Sequence, residues 1–244
     1  MKTFSITIFS IILLSFALWA FKKKAEPKDR VKTAYKEKKS IIEKKLKEKD
    51  LRLEDIHILF VAYKSEKQLD IYIKNKKDNQ YKKLMSYDIC ASSGDLGPKR
   101  KSGDYQVPEG FYQIDRFNPA SSYYLSLGVN YPNQSDKIKS TAKNLGGDIF
   151  IHGSCVTIGC MPMTDDKIKE IYIYALEAKN NGQTKIPVYI FPFKMTSENL
   201  KKYKSSYESH SSFWNNLKLG YDKFHQNYKE LSFNITKNGD YEFK

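Results

Sequence analysis

His152 and Cys160 stand eight positions apart, joined by Gly-Ser-Cys-Val-Thr-Ile-Gly. A thiol is a poor nucleophile while protonated and a strong one as a thiolate, so an imidazole held near it by a short turn supplies the proton acceptor that a cysteine nucleophile needs. In such an arrangement Cys160 attacks a carbonyl carbon, His152 takes the thiol proton and later returns one to the leaving amine. Backbone amides at Gly159 and Cys160 would steady the tetrahedral oxyanion. Orienting the imidazole takes a third group, which a backbone carbonyl or the Thr157 hydroxyl could supply. Gly153 and Gly159 are expected to leave space beside the two side chains for a substrate backbone. Two other chemistries use the same residue types. As a metal site, His152, Cys155 and Cys160 offer at most three ligands where a closed zinc site takes four, and His57, His210 and His225 lie in unrelated surroundings. As plain core, the cysteine is a small buried hydrophobe beside a histidine with no chemistry.

The elements that would position this pair can be read on both sides of it. Ile149-Phe150-Ile151 is a short apolar run with the character of a buried strand, which delivers His152 into the turn. Thr164-Asp165-Asp166 is a helix-start signal, and Ile168, Ile171, Tyr172, Ala175 and Leu176 follow at helical spacing. Cys160 therefore lies just ahead of a helix, whose N-terminal dipole favours a thiolate or oxyanion if the axis points at it.

His152-Gly153 followed by Thr157-Ile158-Gly159-Cys160 resembles the HG…[S/T]-x-G-C signature of the L,D-transpeptidase (YkuD-type) catalytic domain. Gly94–Pro98, Ser102–Asp104 and Val107–Tyr112 resemble strand and loop segments of the same domain in its YafK-like branch, so the resemblance spans roughly residues 55 to 195. The resemblance implies a mainly β fold with helices (α+β), a mixed sheet or sandwich with a helix after the catalytic cysteine and helical appendages at both ends. It also implies acyl transfer on peptidoglycan stem peptides through a thioester at Cys160, with a diaminopimelate-containing donor and no metal or organic cofactor. Pro162 stands two places after the nucleophile, where many members carry arginine or asparagine. A hydrolase that passes the same thioester to water, releasing wall-linked peptides or proteins, is the alternative within the enzyme class. A non-catalytic wall-binding protein is the alternative from another class.

The chain has 244 residues and a formal net charge of +14, enough length for one sizeable domain with appendages and enough charge to favour anionic surroundings. The lysines are spread through a helix and loops rather than gathered with aromatics, which argues against a nucleic-acid partner. Lys2 precedes an apolar run from Phe4 to Phe21 that ends at Lys22-Lys23-Lys24. That layout marks residues 1–25 as a signal peptide or N-terminal membrane anchor, so the domain is expected to be exported to the periplasm or cell envelope and to meet the membrane only through this segment. Of the three cysteines, Cys90 and Cys155 either pair or both stay reduced if Cys160 is the nucleophile.

Residues 26–54 read as a basic amphipathic helix or linker, with Val31, Ala34, Tyr35, Ile41, Ile42 and Leu46 on one stripe, expected to pack lightly on the domain. The catalytic domain is expected over 55–195. Ile56–Tyr63, Gln68–Lys74 and Lys83–Cys90 read as strands of an antiparallel meander, and Gly94–Gly110 as a long loop rich in Gly, Pro and Asp. Phe111–Ile114, Tyr123–Leu127 and Ile186–Phe191 complete the predicted strands. Tyr123 and Tyr124 are candidates for substrate contact, although strand tyrosines more often pack. In the extension 196–244, Phe213, Trp214, Leu217, Tyr221, Phe224 and Tyr228 mark one face of a helix interrupted near Gly220, followed by an Asn-Gly hairpin.

Overall fold

The computed structural model describes residues 27–244. The expected signal or anchor over 1–25 lies outside the described residues. Among the described residues, no helix is long and apolar enough to cross a membrane.

Eight strands form one mixed sheet: β1 (Ile56–Tyr63), β2 (Gln68–Asn75), β3 (Lys82–Asp88), β4 (Gly110–Asn118), β5 (Ser126–Val129), β6 (Ile149–His152), β7 (Met161–Pro162) and β8 (Pro187–Phe191). Their spatial order is β3-β2-β1-β8-β4-β5-β6-β7. The β1–β8 and β6–β7 pairs are parallel, and the other neighbours are antiparallel. Five helices surround it: α1 (Pro27–Lys47), α2 (Gln134–Lys139), α3 (Thr164–Asn180), α4 (Ser197–Lys204) and α5 (Ser211–Asn227). The terminal hairpin pairs β9 (Phe233–Ile235) with β10 (Tyr241–Phe243). The architecture is α+β, as the resemblance implied.

The centre of the sheet is covered on both faces, which explains why β1 is apolar nearly throughout rather than alternating. Ile58, Phe60, Ile71, Val188 and Ile190 face α1 and α3, whose Ala34, Ile42, Ile168 and Ile171 complete one core. Leu59, Val61, Tyr189 and Phe191 face α5 and the hairpin, where Trp214, Leu217, Phe224 and Tyr241 complete a second, aromatic core.

Three expectations change. The helix over 26–54 is not lightly packed: Ala34, Ile42 and Leu46 are fully buried, and Lys45 and Tyr87 both reach Glu170 of α3, at 2.8 and 2.7 Å. Lys38 bridges Glu170 at 3.4 Å as well, while Ile41, counted with the apolar stripe, is exposed. The second change is at Tyr123 and Tyr124, which precede β5 instead of forming it, because Tyr124 adopts φ of 71° and the chain turns there. Third, α5 runs unbroken through Gly220. A Cβ at that position would come within 2.4 Å of the Phe111 and Phe243 rings, so glycine serves close packing there and not a helix break. The short α2 escaped the periodicity argument. It is held by a capping box, in which the Asn133 side chain accepts from the Asp136 amide and the Asp136 carboxylate accepts from the Asn133 amide.

Candidate active site

Strand β6 and the two-residue β7 bring the chemistry-bearing residues together. Ile151 pairs with Met161 and His152 with Pro162, and Ile151 and Met161 are both buried in the core. Side chains alternate along a strand, so Phe150 and His152 face the other way, and the same register one residue back puts Cys160 on that face beside Phe150. Continued along that register, the nucleophile and base candidates would lie on one face, two residues apart in the strand direction, with the thiol's hydrogen bond going to the Asp148 carbonyl and not to the imidazole.

The intervening turn is closed by several bonds. Ser154, at φ of 60°, donates its amide to Asp165 Oδ1 at 2.7 Å, and its carbonyl accepts from the Thr164 amide at 2.9 Å. Met163 N–H donates to the His152 carbonyl at 2.7 Å. Cys155 is joined to Cys90 by a disulfide with a Cα–Cα separation of 5.7 Å, which leaves Cys160 as the free thiol and settles the pairing that the sequence left open. Cys90 N–H donates to the Pro162 carbonyl at 2.9 Å, tying the chain beyond β3 to the far side of the same turn.

The His152 ring is buried, and its Nδ1 lies 2.5 Å from the Gly153 carbonyl. A carbonyl can only accept, so Nδ1 carries the hydrogen and Nε2 presents a lone pair. The third group that orients the imidazole is this carbonyl. Thr157 does not take that role: its hydroxyl donates to the Cys160 carbonyl and accepts from the Gly159 and Cys160 amides, at 2.8, 3.1 and 2.8 Å. Those two amides were the expected oxyanion donors, and in this structure both are directed at Thr157. The Cys160 thiol donates to the Asp148 carbonyl at 3.5 Å. Asp148 sits at φ of 54°, and its carboxylate is gripped by Arg116, which also lies over the Phe150 ring.

Electrostatics favour a neutral pair at rest. Burial lowers the pKa of His152 below its ordinary value, with the Gly153 bond opposing it in part. Burial pushes the Cys160 thiol up, and the Asp148 charge adds to that, while the Phe150 backbone and Lys99 work the other way.

The expected space beside the glycines is occupied by the protein itself. A Cβ on Gly153 would lie 2.7 Å from both Asp165 Oδ1 and the Tyr123 carbonyl. At Gly159, φ of 133° demands glycine, and the Gln106 carbonyl stands 3.0 Å from the position of a Cβ. Of the two tyrosines, Tyr123 is at the site, its half-exposed ring 4.6 Å from that of His152. Tyr124 is not: it lies beneath Arg30 of α1 and Lys169 of α3.

A cleft of about 290 Å³ opens at Cys160 and Met161, walled by Ile89, Ala91–Leu96 and Val107, with Lys64, Lys67 and Tyr207 also lining it. Asp95, Asp148 and Tyr207 were not singled out from the sequence. Their relevance depends on left-handed backbone and on contacts across more than a hundred residues, neither of which leaves a local pattern. Among the described residues, no group of three or more His, Cys, Asp and Glu side chains could hold a metal ion.

Comparison with known proteins agrees with the turn's sequence. The model of the YkuD family, the L,D-transpeptidase catalytic domain, matches residues 57–190. The chain is 41% identical over 181 residues to the Escherichia coli K12 protein named "Putative L,D-transpeptidase YafK", covering 73% of this chain and 70% of that one. Its counterpart in Escherichia coli O157:H7 is equally similar. Among solved structures, the helical cell shape determining protein Pgp2 of Campylobacter jejuni aligns at 19% identity and a TM-score of 0.44, covering 74% of this chain and 73% of that one. Bd1075 of Bdellovibrio bacteriovorus aligns at 22% identity and a TM-score of 0.40, over 69% of this chain and 62% of that one. With the domain matched across both the strand that carries His152 and the turn that carries Cys160, and with a 41% identical relative covered over most of its length, the chain belongs to the L,D-transpeptidase family.

Proposed function

We propose that the protein is a peptidoglycan-acting cysteine acyltransferase in cell-wall crosslinking or remodelling, working outside the cytoplasmic membrane. The observation that carries this is the state of His152. With Nδ1–H committed to the Gly153 carbonyl and the ring kept neutral by burial, Nε2 is the open acceptor on the face that Cys160 shares.

As a stem-peptide carbonyl arrives, the thiol proton passes to Nε2 while sulfur bonds to the carbonyl carbon. The tetrahedral intermediate collapses by breaking the C–N bond, and the imidazolium returns its proton to the leaving amine, which leaves a thioester on Cys160. An incoming amine then gives up a proton to His152, attacks the thioester and expels the thiolate, which is reprotonated. Tyr123, lying against the imidazole, shields it from water and offers a ring to the substrate.

Hydrolysis of the same thioester is the second reading. Pro162 is buried, has no N–H, and its carbonyl is already taken by Cys90, so this position offers an acceptor amine nothing to bind. Water then competes better, and wall-linked peptides or proteins would be released. The test is intact-mass measurement of the full chain incubated with a tetrapeptide donor, with and without excess acceptor amine. The reading requires an acyl adduct on the native protein that is absent from Cys160→Ala. Free hydrolysed peptide in place of exchanged product would select hydrolysis, and a native protein that never acylates would leave a binding protein.

A further inference from the structure

The matched family domain ends at residue 190, yet the cleft at Cys160 is not completed within it. Its outer wall is the segment Ala91–Leu96, which has no strand partner of its own. Tyr207, beyond α4, donates its hydroxyl to Asp95 Oδ1 at 2.7 Å, and the same oxygen accepts from the Leu96 amide at 2.7 Å.

A second set of contacts pins the adjoining residues independently. Gly97 lies at φ of 112°, and a Cβ there would fall 2.3 Å from His210 Nε2, so the C-terminal segment presses directly on this backbone. The Gly97 amide donates to the fully buried Glu109 at 2.7 Å, and the same carboxylate accepts from Trp214 Nε1 at 2.8 Å and Lys64 Nζ at 3.0 Å. Tyr207 and His210 pack near Trp214, with ring centroids 5.5 and 5.6 Å from it. The buried base of the wall is therefore held by Glu109 and Trp214, and its exposed crest by Tyr207 on Asp95 together with the Ser93 hydroxyl donating to the Tyr105 carbonyl at 2.8 Å and the Asp95 amide donating to Gln106 Oε1 at 3.1 Å.

We infer that Tyr207 is a positioning residue for donor binding: its bond to the Asp95 side chain completes the crest of the Ala91–Leu96 wall that Tyr105 and Gln106 hold from below, so that the C-terminal segment shares with the family domain in deciding how wide a donor reaches Cys160. The inference rests on the reading of Cys160 as the acylated residue. Tyr207 touches no reacting atom. Its loss should change which molecules enter and leave the thiol's own chemistry unaltered.

The test compares native full-length protein with Tyr207→Phe, Asp95→Ala, Asp95→Asn and the double variant Tyr207→Phe/Asp95→Ala. The disulfide leaves Cys160 as the free thiol, so it can be labelled selectively with iodoacetamide, which is small, or with a fluorescein maleimide, which is bulky. Loss of a charge-assisted bond at the crest should raise KM for a tetrapeptide donor about tenfold with kcat nearly unchanged. It should also speed maleimide labelling several-fold while iodoacetamide labelling stays as in the native protein. Asp95→Asn keeps an acceptor oxygen and should fall between native and Asp95→Ala, and the double variant should be no worse than the worse single one. If the maleimide-to-iodoacetamide ratio is unchanged in Tyr207→Phe and in Asp95→Ala, the inference is overturned whatever the donor kinetics are. If the native protein fails to acylate but the ratio shifts, the wall stands and only the proposed reaction falls.

Discussion

The Thr157 hydroxyl lies 2.8 Å from both the amide nitrogen and the carbonyl oxygen of Cys160. One small side chain thereby closes the turn that presents Cys160, accepting from two amides while donating to a carbonyl. Thr157→Val keeps the shape and β-branching but leaves three polar groups without their partner. Acylation of Cys160 should slow by about 10–100-fold, as expected for a misplaced nucleophile. Thr157→Ser should retain most of the rate. Time-resolved intact mass with a donor peptide measures both, and equal rates for valine and threonine would remove the turn from the account.

The pH dependence follows from the direction of two shifts. His152 must be neutral to accept the thiol proton, and burial lowers its pKa from the ordinary 6.5. The rate is therefore lost as pH falls through that lowered value and is already more than half of its plateau at 6.5. The thiol is raised above its ordinary 9.0, so no separate limb from thiol ionisation should appear between pH 6.5 and 9. In His152→Ala the acid limb should vanish, and iodoacetamide alkylation should climb about tenfold per pH unit with the thiolate fraction and not level off by pH 9. A native acid limb centred above 6.5 would mean that the histidine is not the buried, neutral base described.

The Cys90–Cys155 disulfide spans 65 residues of chain and anchors the turn to the segment after β3. Both sulfurs are committed to that bond and Cys160 is the free thiol, so Cys90→Ala and Cys155→Ala should still form the Cys160 adduct. Their stability should fall by about 2–4 kcal/mol, the usual contribution of a native crosslink. Urea midpoints with and without reductant check this: native protein should shift on reduction and the variants should not.

Glu170 links α1 to the helix that follows the nucleophile. Burial opposes its charge, but hydrogen bonds from Lys45 and Tyr87 and the nearby lysine charges hold its pKa below the usual range. Lys38, with a side chain only 10% exposed, faces it at 3.4 Å. Glu170→Ala leaves buried positive charge with less compensation and should cost about 3–5 kcal/mol, read from urea unfolding. Replacing Glu170 and Lys38 together by Leu and Met should cost less than the single change.

The sequence carried much of the sheet because β1 and β2 are long and their apolar and β-branched residues repeat in strand fashion. Both were delimited to within a residue, and the strand before His152 was visible as three apolar residues. What failed was set by tertiary context. Tyr123-Tyr124-Leu125 has the composition of a strand, but a left-handed residue turns the chain before the ladder begins. α2 has six residues, too few for a period, and depends on the Asn133–Asp136 box and on Arg100 and Tyr112 from elsewhere to hold Asp136. At the site, the spacing of His152 and Cys160 suggested their juxtaposition. It could not show that the space beside Gly153 and Gly159 is filled, nor that Thr157 serves the turn rather than the imidazole. The Tyr207–Asp95 contact joins residues 112 apart and has no local signature.

The parallel pairing of Ile151 with Met161 and of His152 with Pro162 fastens the strand that ends in His152 to the residues directly after Cys160. The outer wall is rooted at Cys90, which is tied to Cys155 and to the Pro162 carbonyl, so its crest can shift while its root stays with the turn. Variation in the wall can then retune which donors are admitted without disturbing proton transfer, and descendants of this design would diverge in diet sooner than in mechanism.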